Sequence, residues 1–401
     1  MGDRPGLLSP MNSTEITLRV TNAIGDVAAE AWDACANPAS NGASAPYYNP
    51  FVCHDFLSAL EVSGSARGRT GWQPMHLLAE SSGQLVGAVP CYAKSHSQGE
   101  YVFDHGWADA YERAGGDYYP KLQVTVPFTP ASGPRLLLRP GSQSEAVRDA
   151  LADGLAEVCR RSKASSVHVT FLTEAEWRFL GACGYLQRTH RQFHWENADY
   201  GSLDDFLGAL ASRKRKTIRR ERSDALADGI TVHWLSGPDL TESVWDTFFA
   251  FYMHTGSRKW GHPYLTRSFY SLAGEKMGKR ILLVMAKRNG RFIAGAINFI
   301  GSDTLYGRHW GAIEHHPFLH FEVCYYQAID YAIQHKLKRV EAGAGGQHKV
   351  LRGYLPTTTY SAHFILDPAL RRAIADYLTH ERAHVAAEIE EFAEVAPFRK
   401  G

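Results

Sequence analysis

The sequence predicts an α/β (α+β) fold in two tandem halves, each a mixed, mostly antiparallel sheet flanked by helices. Three observations carry this. The 401 residues make two or three domains at about 150 residues each. Apolar runs of strand period and of helix period alternate along the chain. A hairpin-like stretch occurs twice: Leu78-Ala79-Glu80-Ser81-Ser82-Gly83-Gln84-Leu85-Val86 matches Met285-Ala286-Lys287-Arg288-Asn289-Gly290-Arg291-Phe292-Ile293, allowing a one-residue register shift. Each copy is followed by a Gly-Ala step (Gly87-Ala88, Gly295-Ala296), an amphipathic helix pattern and a further strand. Two strand–strand–helix–strand units point to internal duplication. They divide the chain into 12–198 and 199–396, with an aromatic insertion at 101–134 in the first half.

The elements follow in order. Residues 16–20 alternate apolar and polar, the mark of a half-exposed strand. Residues 37–50 are rich in Asn, Pro, Ser, Ala and Gly and read as a loop, and Phe51 to Leu60 reads as a short helix. Met75–Ala79 and Leu85–Tyr92 are strands about the Ser81-Ser82-Gly83 turn. The insertion holds Phe103, Trp107, Tyr111, Tyr118, Tyr119 and Phe128, and Pro127, Pro130 and Pro134 break regular structure near its end. Ser142–Arg161 has helical apolar spacing, Val167–Phe171 is a strand, and Glu174–Cys183 is a helix closed by Gly184. In the second half, Ser202-Leu203-Asp204-Asp205 opens a helix that is expected to run on into Arg213–Arg222. An aromatic helix (Val244–Met253) precedes strands at 281–286 and 292–300 about Asn289-Gly290, and a third at 304–310. A helix over Phe321–His335, a strand at 339–342 and a long helix from Asp367-Pro368 to about Glu394 complete the chain.

Composition narrows the function. At 44% hydrophobic residues the chain is neither disordered nor fibrous. Forty-three basic against 42 acidic residues give a net charge of +1, which argues against a dedicated nucleic-acid binder while allowing a local basic patch. Aromatics at 12% suit pockets better than a flat polar surface. The six cysteines are scattered with no C-x-x-C pair, which reads as reduced thiols of a cytoplasmic protein. No apolar run approaches the roughly 18 residues of a membrane span. Met1–Pro10 has no apolar core for a signal peptide and reads as a tail, with Met11 a possible second start; Met1-Gly2 lacks the myristoylation Ser/Thr.

Four constellations carry chemistry. Tyr306-Gly307-Arg308-His309-Trp310-Gly311, followed by His315-His316-Pro317-Phe318-Leu319-His320-Phe321-Glu322, joins a strand end to a helix start, where charge, a proton carrier and free backbone N–H groups suit an anion or a developing oxyanion. His316, His320 and Glu322 are the one metal reading; Pro317 interrupts the helix it needs, so no metal is expected. Glu341-Ala342-Gly343-Ala344-Gly345-Gly346-Gln347-His348-Lys349, then Arg352-Gly353-Tyr354, sets a carboxylate at the end of a buried strand before glycines that admit a ligand close to backbone. It has neither P-loop nor Rossmann spacing. The run from Arg213 through Lys214, Arg215, Lys216 and Arg219 to Arg222 is a local basic field for a polyanion such as a tRNA, a nucleotide or a phospholipid-linked substrate. Asp104, Trp107 and Lys121 in the insertion form a fourth cluster, and Gln192, His194 and Trp195 a weaker one at the junction of the halves.

Tyr306–Gly311, Leu319-His320-Phe321-Glu322 with Cys324-Tyr325-Tyr326, and Glu341–Ala344 running to Arg352-Gly353-Tyr354-Leu355-Pro356 resemble the bacterial FemAB-like predicted N-acyltransferases, often called peptidoglycan biosynthesis/recognition proteins. Phe103-Asp104, Trp107–Tyr111, Tyr118–Lys121, Val126–Pro130, Gln192–Trp195 and Ser212–Lys216 are similar to that family too, so the resemblance spans about residues 15–395. It implies two tandem GNAT-like domains and transfer of an acyl or aminoacyl group to an amine, with acyl-CoA or aminoacyl-tRNA as donor and a small-molecule or peptidyl acceptor such as a cell-wall precursor. Peripheral membrane contact is compatible with it, and the oligomeric state stays open. The chain departs from the family pattern at Gly345, where Gln is common, and at Gln347, where Glu is common. No acetyl-CoA loop of the usual GNAT kind is visible at 311–321, which keeps aminoacyl-tRNA open as donor. Glu341, His309, Glu322 and Tyr326 are then the expected acid–base residues. Arg308, Trp310, His320, Gly343, Gln347, His348, Lys349 and Arg352, with Asp104, Trp107, Lys121 and His194, are the expected substrate contacts. A non-catalytic recognition protein for a cell-wall precursor, tRNA or another anionic ligand is the alternative.

Overall fold

The structure, a computed structural model, describes residues 15–38, 47–141, 143–260 and 263–399. The N-terminal tail, most of the 37–50 loop and the Ser142 start of the predicted helix lie outside the described residues. In the first half, β1 (Ile16–Thr21), β3 (His76–Ser81), β4 (Gln84–Val89) and β7 (Leu137–Leu138) form a four-stranded sheet in the order β1-β3-β4-β7. Around it stand α1 (Ala29–Ala36), α2 (His54–Val62) and α4 (Ser144–Arg161). Val147, Leu151, Ala152, Leu155 and Cys159 of α4 are buried, the helical spacing that its sequence shows. The remaining strands of this half are β2 (Trp72–Pro74), β5 (Cys91–Lys94), β6 (Lys121–Val124), β8 (Ser166–Leu172) and β9 (Leu186–Glu196), with helices α3 (His105–Arg113) and α5 (Glu174–Ala182).

The second half opens with α6 (Leu203–Ala209) and α7 (Ser212–Ala225). They are two helices, not the single one expected. Leu210 turns extended between them, is fully buried and bridges to Phe398. Then come β10 (Thr231–Leu235), α8 (Glu242–Trp260), α9 (Arg267–Met277), β11 (Ile281–Arg288), β12 (Arg291–Ile300) and β13 (Thr304–Ala312). The helix expected over 321–335 is α10 (Leu319–Phe321), a π turn (Glu322–Tyr326) and α11 (Gln327–Gln334). β14 (Arg339–Glu341), a 3-10 turn (Gln347–Arg352), β15 (Leu355–Ile365) and α12 (Pro368–Glu394) close the chain. Asp367 caps α12 by accepting from the Leu370 N–H, as predicted.

The second sheet runs through both halves in the order β10-β11-β12-β13-β14-β9-β15-β8-β6-β5-β2. At its centre the halves exchange strands. β9, the last strand of the first half, lies between β14 and β15, and β15 lies between β9 and β8. The expected boundary at 198/199 therefore falls just past a strand whose two neighbours both come from the second half. The internal repeat is visible in detail. The hairpins β3–β4 and β11–β12 each slip register at the same aligned step, Ala79/Glu80 and Ala286/Lys287. Their turns Ser82-Gly83 and Asn289-Gly290 share positive φ at both residues, which suits the right-handed strand twist. Each half also has one parallel pair, β6 with β8 and β13 with β14.

One apolar core bridges the halves. Phe51 and Phe56 of the first half meet Phe299, Tyr306 and Phe269 of the second, with ring centroids 5.0–5.6 Å apart. Rings this deeply buried contribute about 1.5–3 kcal/mol each. Helix α8 crosses β13 so closely that a Cβ on Gly311 would stand 2.1 Å from the Phe251 carbonyl oxygen. Gly311→Ala is therefore expected to cost about 1–3 kcal/mol in denaturant unfolding, through strain rather than lost contacts. A cost below a few tenths would show that α8 shifts freely.

Candidate functional site

β13 and β14 run parallel through Thr304↔Arg339, Leu305↔Val340 and Tyr306↔Glu341, and the pairing ends there. Beyond that fork β13 continues alone, with a bulge: Asn298 faces Gly307 and Ile297 faces His309, leaving Arg308 as the extra residue. Bulges re-aim side chains beside functional sites. The opening is a cavity of roughly 80 Å³ between Gly307–Trp310 on one side and His320, Cys324, Tyr325 and Ala342 on the other. A larger cavity, about 440 Å³, shares Trp310 and His320 with it and extends along Phe318, Phe321, His254 and His316. On the opposite face the fork meets the first half, where Pro127, Phe128 and Thr129 pack beside Arg308 and His309.

Glu341 ends β14 at this fork, and its residue is 4% exposed. Burial pushes its carboxyl up to about 7, against a weaker pull down from Arg339, the Ser132 backbone amide and Arg308. Oε2 has no hydrogen-bond partner among the described residues. A carboxylate with a lone pair to spare and a proton affinity near neutrality is what a general base requires. Arg308 Nη2 donates to the Phe128 carbonyl at 2.5 Å, and Tyr101 hydrogen-bonds the guanidinium, so the first half holds this cation from behind. His194 pairs with Glu341 across the β9–β14 ladder, donates from Nε2 to Gln192 Oε1 (3.2 Å), and keeps Nδ1 unpartnered among the described residues. Burial pushes it down to about 3, so it is neutral.

The glycine loop after Glu341 is braced from inside. Gly343 and Gly346 have φ of +73° and +90°, where a side chain would be strained. Lys349, 2% exposed, turns back to donate to the Ala342 and Gly343 carbonyls at 2.8 and 2.9 Å. Burial, with Arg308 nearby, pushes its ammonium down to about 8. Trp310 and His320 face each other at 5.1 Å in the cavity wall.

Several expected roles need correction. Glu322 is fully buried, and both its oxygens accept from Arg222, so it is a structural ion-pair partner rather than a base. Tyr326 donates to Glu221 and turns away from the cavity. Its neighbour Tyr325 lines the cavity instead, with its hydroxyl 3.0 Å from His348 Nε2. The π turn accounts for the change: an extra residue in the turn rotates the helix face that the sequence period assigns. Arg352 is locked to Glu221 at 2.8 and 2.9 Å and lies over the Phe321 ring at 3.4 Å, so it is not an open anion contact. His309 packs on Tyr252, and burial with Arg308 pushes it down to about 3, too low for a proton acceptor. Gln347 is exposed on the 3-10 turn, outside the cavity lining. Asp104, Trp107 and Lys121 are buried in the first half, away from the fork. There Lys121 Nζ binds Asp104 at 2.5 Å, Glu100 at 2.7 Å and Ser97 at 2.8 Å.

On α7, Ile218, Glu221 and Ala225 face inward, while Arg213 and Lys216 are exposed and Lys214 and Arg215 half-exposed. Arg219 pairs with Asp204 at 2.9 Å. Among the described residues no group of three metal-ligating side chains is found, and no helix is long and apolar enough to cross a membrane. The residues that sequence reading missed are Ser132 and Phe128 behind the fork, and Tyr325 and Cys324 inside it. The Val126–Pro130 motif and the proline-rich run Pro127–Pro134 were the visible signals for the first pair.

Two α/β halves in tandem, with strands exchanged at the centre of a shared sheet, define the class of protein. The chain belongs to the FemAB-like family, described as peptidoglycan biosynthesis/recognition, whose model matches residues 23–400. Among solved structures it is similar to FemX, at 12% identity, over 87% of this chain and 98% of that chain, with a TM-score of 0.53. It is also similar to a conserved protein of unknown function from Bacteroides thetaiotaomicron, at 10% identity over 88% and 100% of the two chains, with a TM-score of 0.52. A tandem GNAT protein from the clavulanic acid biosynthesis pathway aligns at 16% identity over 88% and 99%, with a TM-score of 0.44. At these identities the likeness shows the fold alone. No curated protein sequence matches the chain.

Proposed function

We propose that the chain is an N-acyl- or aminoacyltransferase acting at the β13–β14 fork. The observation that carries this is Glu341: a buried carboxylate held up to about 7, with one oxygen unpartnered, directly before Ala342 in the wall of the opening between strands. An acceptor amine must lose its proton before it attacks an ester or thioester carbonyl, and Glu341 takes that proton. The carbonyl oxygen becomes an oxyanion as the new C–N bond forms. Backbone N–H groups of β13 past Tyr306, where β14 no longer pairs, and the Arg308 charge stand ready for it. Collapse of the intermediate breaks the bond to the leaving oxygen or sulfur, and Tyr325 supplies its proton, with the exposed His348 as the route to solvent.

The acyl donor, an acyl-CoA or an aminoacyl-tRNA, occupies the cavity along Trp310, His320 and Phe321, and Lys349 fixes the glycine loop that follows Ala342 in the wall of the adjoining smaller cavity. Helix α7 packs on α10 and on the Gln347–Arg352 turn through Glu221 and Arg222, and the basic run Arg213–Lys216 at its other end suits a polyanionic donor. The amine acceptor is a peptidyl or cell-wall precursor. Labelled acetyl-CoA, longer acyl-CoAs and aminoacyl-tRNA, each tested against amine acceptors, decide the reading. Transfer of label that Glu341→Gln removes supports it. Thermal stabilisation by tRNA with no transfer from any donor would replace it with ligand recognition, which the exposed Gln347 in place of the family's Glu favours.

The two neighbouring tyrosines separate the roles. Tyr325→Phe is expected to slow transfer about 10–100-fold, the usual range for a lost proton donor. Tyr326→Phe leaves the rate alone and lowers stability by about 1 kcal/mol, because Glu221 loses a buried partner. Side-by-side rate and unfolding measurements on the two variants check this, and a reversed pattern would reassign the acid.

A further inference from the structure

The strand exchange makes the two forks comparable residue by residue. In the second half one cross-strand row runs Phe299, Tyr306, Glu341, His194, Leu355. In the first half the matching row runs Tyr92, Gln123, His168, His363, Leu186. His168 and His363 thus stand where Glu341 and His194 stand. Their Nδ1 atoms are 2.7 Å apart, and burial keeps both neutral, His168 at about 3. The first-half fork therefore has a histidine where Glu341 stands, with the Asp104 carboxylate 3.8 Å from His168 Nε2, and its gap is filled.

Past Val124 and Val169, where the parallel pairing of β6 and β8 ends, the chain's own loop fills the gap. Gln123 Nε2 donates to Thr170 Oγ1 at 3.0 Å, and Thr170 Oγ1 donates to Thr125 Oγ1 at 2.9 Å. Gly133 N donates to the Phe171 carbonyl. Arg135, 1% exposed, donates to four carbonyls at once: Nε to Thr170 (2.9 Å), Nη1 to Gly133 and Pro134 (3.1 and 3.0 Å), and Nη2 to Ala131 (2.8 Å). Glu176 Oε1 accepts from the Arg135 and Leu136 amides at 2.7 Å and ties down the end of the loop.

The same loop forms the back wall of the second-half site. Its Phe128 carbonyl holds Arg308, its Pro130 carbonyl accepts from Gln192, which contacts His194, and its Ser132 amide meets Glu341. We propose that the first-half fork is a sealed copy of the working one, and that its plug, Arg135, is a positioning residue that fixes the 127–135 loop against Glu341. A guanidinium with no carboxylate in contact is an odd choice for a buried brace. Its reach explains it: only Arg spans four carbonyls in one plane.

The charged and titratable groups around Glu341 are Arg339 on its own strand, Arg308 and Tyr306 on β13, His194 and Glu196 on β9, and Tyr47 and Arg135 from the first half. Arg135→Lys keeps the charge and loses the four-carbonyl span, so it separates bracing from electrostatics. The Glu341 carboxyl is followed by 13C NMR on glutamate-labelled full-length protein, assigned by the signal that Glu341→Gln removes. With the wall loosened, water reaches the carboxylate, and its midpoint is expected to fall from near 7 by about one pH unit or more. Glu176→Ala, which frees the other end of the loop, is expected to shift it the same way, and it serves if Arg135→Lys does not fold. An unchanged midpoint in the folded variant overturns the proposal, even if melting temperature drops. The inference rests on Glu341 as the base, but its readout needs no substrate. A shifted midpoint with transfer untouched would sink the base and keep the brace; an unshifted midpoint with Glu341→Gln inactive would do the reverse.

Discussion

Glu341→Gln is expected to lower transfer at pH 7 by 10²–10⁴-fold, the contribution of a positioned general base, while making the protein more stable at pH 8. Both effects come from one cause. Burial, the largest influence on this carboxyl, holds it at about 7. In the wild type kcat/KM should rise with pH through about 7 and then level off on that limb, since the ionised form is the active one. Glutamine fills the same volume and cannot take a proton, so the loss should not be recovered at any pH.

The stability effect has a definite sign. The folded protein keeps a proton on Glu341 that the unfolded chain releases above its ordinary value of 4.5. The stabilisation from that retained proton is complete below pH 4.5 and is lost as the pH rises through about 7. The gap corresponds to on the order of 3 kcal/mol. Above pH 7 the wild type carries a buried, under-partnered carboxylate and the glutamine variant does not, so the variant gains by up to that amount. Denaturant unfolding at pH 5 and pH 8 reads the difference directly. Equal stability of the two proteins at pH 8 would mean that the carboxylate is hydrated, and the case for a tuned base would go with it.

What the sequence disclosed about this site follows from where each signal lives. Glu341, Arg308 and the glycine loop were legible because charge at the end of an apolar strand is a local pattern. The hairpins and α12 were legible for the same reason, through Asn289-Gly290 and Asp367-Pro368. β9 and β15 escaped notice although they are eleven residues each. Leu-Gln-Arg-Thr-His-Arg and Leu-Pro-Thr-Thr-Thr-Tyr are polar because these strands meet between the halves, where their side chains find hydrogen-bond partners from both, as Gln192 does at Pro130. Tyr325 was passed over for Tyr326 because a π turn breaks the 3.6-residue period on which face assignment depends. Ser132 and Phe128 reach the site only through tertiary contact, which a period cannot show.

Arg222→Met is expected to cost about 3–5 kcal/mol, because it strands buried charge instead of merely removing a contact. Arg222 Nε and Nη2 reach the two Glu322 oxygens at 3.0 and 2.8 Å, and Nη2 also reaches Asp330 at 2.7 Å. Gln327 adds a 2.7 Å bond to Glu322. Glu322 is fully buried at the first position of the π turn, the turn that presents Cys324 and Tyr325 to the cavity. Without the guanidinium, two carboxylates share one buried patch with no cation. Glu322→Gln should cost less, since the amide oxygen still accepts and the charge leaves with its partner's reason for being there. The double variant Arg222→Met with Glu322→Gln should then be more stable than Arg222→Met alone, a coupling that a double-mutant cycle measures. The same set of proteins tests the division of labour at the site. Glu322→Gln is expected to retain transfer within a few-fold, in proportion to its folded fraction. Loss of transfer at full stability would make Glu322 a reacting group, and the carboxylate that the structure ties to Arg222 would have to be freed during turnover.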